Sequence, residues 1–123
     1  MSAKRILIVD DNQALLELIT NEFTAEGYKV DAATGREEAE ALLNHDDYDL
    51  VITDLALSRC GLSGLDILEI LAKRQTRPKV IVLTGHGTPE IQKEACSRGA
   101  DAFLKKPMPI ADIVRLIGMM VEV

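Results

Sequence analysis

Short runs of consecutive apolar residues recur along this chain: Ile6-Leu7-Ile8-Val9, Leu50-Val51-Ile52, Val80-Ile81-Val82-Leu83 and the briefer Ala102-Phe103-Leu104. Runs of three or four, rich in β-branched residues, are too short for buried helices and read as strands covered on both faces. Lys29 to Ala33 alternates polar and apolar instead, as a half-exposed or edge strand does. Amphipathic stretches fill the intervals. Leu15, Leu16, Ile19 and Phe23 stand at helical spacing and stop near Gly27, a suitable C′ residue. Thr34-x-x-Glu37 reads as a capping box ahead of Ala39, Leu42 and Leu43. Leu65, Leu68 and Leu71 mark a third helix. Thr88-Pro89-Glu90 gives an N-cap, a proline at N1 and an acid in the first turn. That fourth helix has a thin stripe of Ile91, Ala95 and Cys96 and ends at Gly99. Pro109 opens a fifth, with Ile110, Ile113, Val114, Ile117 and Val121 inward. Five βα units in series imply a parallel sheet with helices on both faces and right-handed crossovers.

The 123 residues suit one domain, residues 1–123, with enough core to need no metal or disulfide staple. Twenty acidic residues against 14 basic ones give a net charge of −6, which argues against nucleic-acid binding. Two Phe, two Tyr and no Trp leave no stacking platform for single strands. Cys60 and Cys96 are far apart and no C-x-x-C exists, so neither a zinc site nor a disulfide is expected. The apolar stretch at Ile6–Val9 is too short for a signal peptide or a membrane span, and a cytoplasmic chain is expected.

In an open parallel sheet, ligands bind beyond the carboxyl ends of the strands. Asp10-Asp11 follows the first strand, Asp54 the third, Thr84-Gly85 the fourth and Lys105-Lys106-Pro107 the fifth. The second ends in Ala33-Thr34, with nothing titratable. Three carboxylates, a hydroxyl and an amine thus converge on one sheet edge. Gathered carboxylates repel and raise one another's pKa. A divalent cation removes that penalty, and oxygen-only ligands point to Mg²⁺, with Mn²⁺ the alternative. The lysine and threonine suit a phosphoryl group, and an aspartate can serve as its nucleophile.

These residues resemble the receiver domains of two-component response regulators. The matching pieces are Ile6-Leu7-Ile8-Val9-Asp10-Asp11-Asn12, Leu50-Val51-Ile52-Thr53-Asp54-Leu55, Val82-Leu83-Thr84-Gly85, Gly99-Ala100-Asp101 and Phe103-Leu104-Lys105-Lys106-Pro107, in family order over essentially the whole chain. The resemblance implies a flavodoxin-like doubly wound α/β fold, (βα)5, with strand order 2-1-3-4-5. It implies that Asp54 takes a phosphoryl group from the phosphohistidine of a histidine kinase or phosphotransfer protein. Asp10 and Asp11 would hold Mg²⁺ with Asp54 and the backbone carbonyl of Ala56. Thr84 would bond the phosphoryl oxygen. The family lysine directly precedes a cis proline, which assigns it to Lys106 rather than Lys105. Thr84 and Phe103 would form the switch that alters the surface of the fourth helix, fifth strand and fifth helix. A downstream effector or output domain would read that surface, and homodimerisation through the fourth-helix face is a further candidate use. Self-phosphorylation and self-dephosphorylation would be the only catalysis.

Some positions depart from the family. The Met-Pro pair after the phosphoacceptor is Leu57-Ser58 here, and the Ser58–Gly64 loop, which contains Cys60, is about two residues longer than usual. A loop without that proline is less restrained, which bears on Mg²⁺ affinity. Phe103 stands where many members have Tyr, so it packs without a hydroxyl to bond. The two positions that tune phosphoryl lifetime are Ala56 and His86. Ala56 has no group to orient water, so self-dephosphorylation is expected to take longer than minutes. A small Mg²⁺-dependent phosphatase would need an acid at position 56 and a cap. A flavin module would need a phosphate cradle where Asp10-Asp11 stands. A pseudo-receiver would not keep the full acid, Thr and Lys set. Five βα units occupy nearly all 123 residues, so any output is expected to run through the switch surface or through sequence outside them.

Overall fold

A computed structural model describes residues 4–54, 64–74, 77–85 and 88–121. Strands and helices alternate: β1 (Arg5–Val9), α1 (Gln13–Ala25), β2 (Lys29–Ala33), α2 (Arg36–His45), β3 (Leu50–Thr53), α3 (Gly64–Ala72), β4 (Lys79–Thr84), α4 (Pro89–Ser97), β5 (Ala102–Lys105) and α5 (Ile110–Val121). The five strands form one parallel sheet in the order β2-β1-β3-β4-β5. The alternation of the sequence is therefore realised as a flavodoxin-like sheet, with the polar-apolar strand at its edge.

The apolar runs alternate between two layers. Leu7, Val9, Val51, Val80 and Val82 face α2, α3 and α4 through Ala39, Leu43, Ile67, Leu68, Leu71 and Ala95. Ile6, Ile8, Leu50, Ile52, Ile81 and Leu83 face α1 and α5 through Leu16, Ile19, Phe23, Ile113 and Ile117. A strand covered on both sides favours apolar residues at successive positions, and this is why the runs are nearly continuous. Asn12 caps α1, its side chain accepting from the Leu15 amide at 3.2 Å. Gly27 ends it at φ +96, a conformation that a Cβ would strain.

Two local expectations are corrected. The capping box at Thr34 and Glu37 is displaced by one residue. Gly35 is the N-cap, without a side-chain bond, and the Thr34 amide donates to Glu38 Oε1 at 2.8 Å. The helix begins at Arg36, so Glu38 rather than Glu37 sits at N3 and can reach back. In α4, Ile91 and Ala95 face the core one helical turn apart, while Cys96 is exposed. One residue further on means a rotation of about 100°, enough to carry that thiol off the buried stripe.

Candidate functional site

The register of the central strands builds the site. Val9 pairs with Thr53, Thr53 with Val82, and Thr84 with Lys105. Asp10 and Asp54 therefore leave the sheet side by side, one residue past β1 and β3. Main-chain bonds fix both: the Asp10 amide donates to Ala33 O at 3.0 Å and the Asp54 amide to Val9 O at 2.9 Å. Lys106 stands one residue past β5, its amide donating to Thr84 O at 2.9 Å, and its peptide bond to Pro107 is cis.

These placements bring three side chains into contact. Lys106 Nζ donates to Asp10 Oδ2 at 2.5 Å and to Asp54 Oδ2 at 3.0 Å. Asp10 and Asp54 are buried, 3% and 5% exposed. Asp10 Oδ1 also accepts the Asn12 amide at 2.9 Å, joining the site to the start of α1. Burial pushes the Asp10 pKa up, with a smaller upward push from Asp54; the bonds from Lys106 and Asn12 only partly oppose it. For Lys106, burial works to lower the pKa, but the two carboxylates together outweigh it and hold the ammonium above its ordinary value. Lys105, the alternative, is an exposed ladder residue at the end of β5.

Asp11 is exposed and completes a trio whose carboxylate oxygens, one from each residue, lie within 4.8 Å of one another. Three carboxylates against one ammonium leave a surplus of two negative charges when all are ionised. An all-oxygen donor set carrying that surplus fits a hard divalent cation such as Mg²⁺. The exposed Asp11 leaves a solvent-facing side where such an ion could keep its waters. Thr84 is fully buried at the end of β4. Phe103, paired with Val82, packs partly buried against the layer formed with α2, α3 and α4. Ala56, His86, Cys60 and the departing loop before Gly64 lie outside the described residues.

One buried polar residue beside the site was not singled out in the sequence. Thr53 closes β3, and its Oγ1 donates to Asp54 O at 2.9 Å. The available signal was a lone hydroxyl closing an apolar run, which reads equally well as ordinary strand composition.

Comparison with known proteins agrees with this arrangement. The family model described as the response regulator receiver domain matches residues 6–118. A response regulator of Rickettsia felis described as NtrX-like is 34% identical over the whole chain, which spans 26% of that protein's length. The transcriptional regulatory protein GlrR of Escherichia coli is 36% identical over 84% of the chain and 23% of its own length. Among solved structures, a CheY-like receiver domain protein from Methanospirillum hungatei superposes with a TM-score of 0.90 at 31% identity, covering 98% of this chain and 95% of its own. A response regulator from Burkholderia pseudomallei, crystallised with a phosphorylated aspartic acid, a calcium ion and citrate, gives 0.84 at 26% identity, covering 97% and 69%. No helix among the described residues is long and apolar enough to cross a membrane.

Proposed function

The chain belongs to the response regulator receiver domain family of two-component systems, and from that premise we propose that it is a phosphorylation-operated switch with Asp54 as its phosphoacceptor. The observation that carries this is the pair of buried carboxylates, Asp10 and Asp54, sharing the Lys106 ammonium at adjoining strand ends. An Asp54 oxygen forms a bond to phosphorus as the P–N bond of a phosphohistidine breaks, and the imidazole leaves with the electron pair. The donor is a sensor histidine kinase or a phosphotransfer protein. Lys106 then turns from the Asp54 carboxylate toward a phosphoryl oxygen, and Thr84 bonds another through its hydroxyl. Asp10, Asp11 and Asp54, with the Ala56 carbonyl, are the residues that would hold Mg²⁺. Bound there, the ion supplies charge neutralisation at the phosphoryl group. The Burkholderia relative supports this reading, since it holds both a phosphorylated aspartic acid and a divalent cation.

The switch follows from register. Thr84 lies two residues beyond Val82, on the face where Phe103 packs. A Thr84 drawn toward a phosphoryl group vacates space into which Phe103 moves, and the α4-β5-α5 surface changes with it. A cytoplasmic effector, an attached output domain or a second copy that binds the altered surface more tightly shifts the equilibrium by that difference in affinity. The domain acts on no substrate beyond its own phosphoacceptor.

Incubation with acetyl phosphate and Mg²⁺ is expected to add one phosphoryl group by intact mass, and Asp54→Asn to abolish the addition. Equal labelling of Asp54→Asn would overturn the assignment. With Mg²⁺ present, the label should persist beyond minutes; loss within seconds would contradict the role given to Ala56.

A further inference from the structure

Four polar or charged side chains are buried among the described residues: Asp10, Asp54, Thr84 and Thr53. The first three belong to the phosphoryl site. Thr53 is fully buried directly before Asp54, in register between Val9 and Val82. Both neighbours are apolar and also buried. A valine has nearly the same shape and would suffer no desolvation there, whereas a hydroxyl in an apolar layer is costly unless it is paired. Its partner is the next peptide: Thr53 Oγ1 donates to Asp54 O at 2.9 Å. The Asp54 amide donates to Val9 O at 2.9 Å. The main chain of Asp54 is thus tied at both ends, by β1 through its amide and by Thr53 through its carbonyl. Both ties bear on the direction of its Cα–Cβ bond, and hence on the approach of its carboxylate to Lys106.

We propose that Thr53 is a positioning residue for the phosphoacceptor: its hydroxyl fixes the Asp54 peptide, so that the carboxylate meets the metal and the incoming phosphorus in one orientation. The proposal rests on Asp54 being the phosphoacceptor. Thr53 makes no bond to the phosphoryl group itself; it acts by keeping Asp54 in an attack geometry, to which transfer rates are sensitive.

The test uses Thr53→Val, Thr53→Ala and Thr53→Ser. Ser and Ala both lack the methyl group and differ only in the hydroxyl. Two quantities are measured well below each variant's melting point: the rate of phosphorylation by acetyl phosphate, followed by intact mass, and the Mg²⁺ dissociation constant from an NMR titration. Thr53→Val and Thr53→Ala should label about tenfold more slowly and bind Mg²⁺ more weakly, with Thr53→Ser within about threefold of wild type in both. Wild-type values in Thr53→Val would overturn the proposal. Equal behaviour of Ser and Ala would also overturn it, since a packing role alone lowers melting points without separating those two. If Thr53→Val fails to fold, the Ser and Ala pair decides. Failure of wild type to label, or labelling of Asp54→Asn, would instead remove the premise, an outcome visible before any Thr53 variant is compared.

Discussion

Asp10 is the group that burial perturbs most plainly in the site. Its carboxyl is pushed above its ordinary value of 3.8 even though Lys106 and the Asn12 amide both favour its charged form. A carboxyl raised on folding binds its proton more tightly in the folded state. Its contribution to stability is therefore complete below 3.8 and is lost as pH rises through the folded value. Lys106 works in the other range: its raised pKa keeps the ammonium charged throughout, and its contribution fades only above 10.5. Asp10→Asn removes the titration while leaving an oxygen for the Asn12 amide. In EDTA, the melting temperature of wild type minus that of Asp10→Asn should fall as pH rises from about 4 through the folded value of Asp10 and level off beyond it. A flat difference from about pH 4 upward would show that Asp10 is not perturbed. At this scale the sequence was legible where a residue type and a strand end coincide, as for Asp10, Asp54 and Thr84. The choice of Lys106 over Lys105 came from the family pattern, and the physical reason needs the ladder: Thr84 pairs with Lys105, which leaves the next residue to turn toward the carboxylates. Thr53 was not legible, because its significance depends on a bond to the following carbonyl and on two apolar neighbours from other strands.

The helices are held to the sheet unequally, and α4 is held least by apolar contact. It buries Ala95 alone, with Ile91 partly covered, whereas α1 buries Leu16, Ile19 and Phe23. Polar contacts concentrate at its C-terminal end. Arg98 donates to Glu69 of α3 at 2.6 Å and to Glu94 at 2.8 Å, and Arg77 donates to Gly99 O. Its other end leads back toward Thr84. A helix with so little buried apolar surface, held at its C-terminal end by partly exposed ion pairs, is a low-stability element. Amides of α4 should therefore exchange with solvent markedly faster than those of α1. Glu69→Gln should reduce α4 protection further, by up to about fivefold, the range expected of an exposed pair, without altering α1. Protection of α4 equal to that of α1 would refute this ordering. The thin stripe of α4 was visible in the sequence; the polar ties were not, because Glu69 and Arg98 are separated along the chain and become neighbours only when α3 and α4 pack on the same face. The displaced cap of α2 has a different cause. Thr34 and Gly35 are both acceptable caps and are followed at the same spacing by Glu37 and Glu38, so spacing alone could not choose between them.

Over the whole molecule, the alternation of apolar runs and helical stretches determines a parallel βα sheet, and the polar residues of β2 place that strand at an edge. The full order 2-1-3-4-5 does not follow from alternation; it came from the family resemblance, and the sheet has it. That order places β1 and β3 side by side at the centre, which puts Asp10 next to Asp54. Part of the net charge of −6 is thus gathered at one sheet edge rather than spread for solubility. Folding concentrates three carboxylates there, and a divalent cation that binds only the folded arrangement must stabilise it by mass action. At Mg²⁺ one hundred times its dissociation constant, the gain is about 2.7 kcal/mol, or roughly 10 °C in melting temperature for a chain of this size. Asp11 separates binding from packing, because it is exposed while Asp10 and Asp54 are buried. Asp11→Asn should change the melting temperature in EDTA by no more than an ordinary surface substitution, about 0.5 kcal/mol, yet lose most of the Mg²⁺-dependent gain. The measurement is a pair of melting curves for each protein, with Mg²⁺ and with EDTA at matched ionic strength. An Asp11→Asn protein that gains as much from Mg²⁺ as wild type would place the ion elsewhere. A wild type that gains nothing would mean that the carboxylate edge does not select a divalent cation at all.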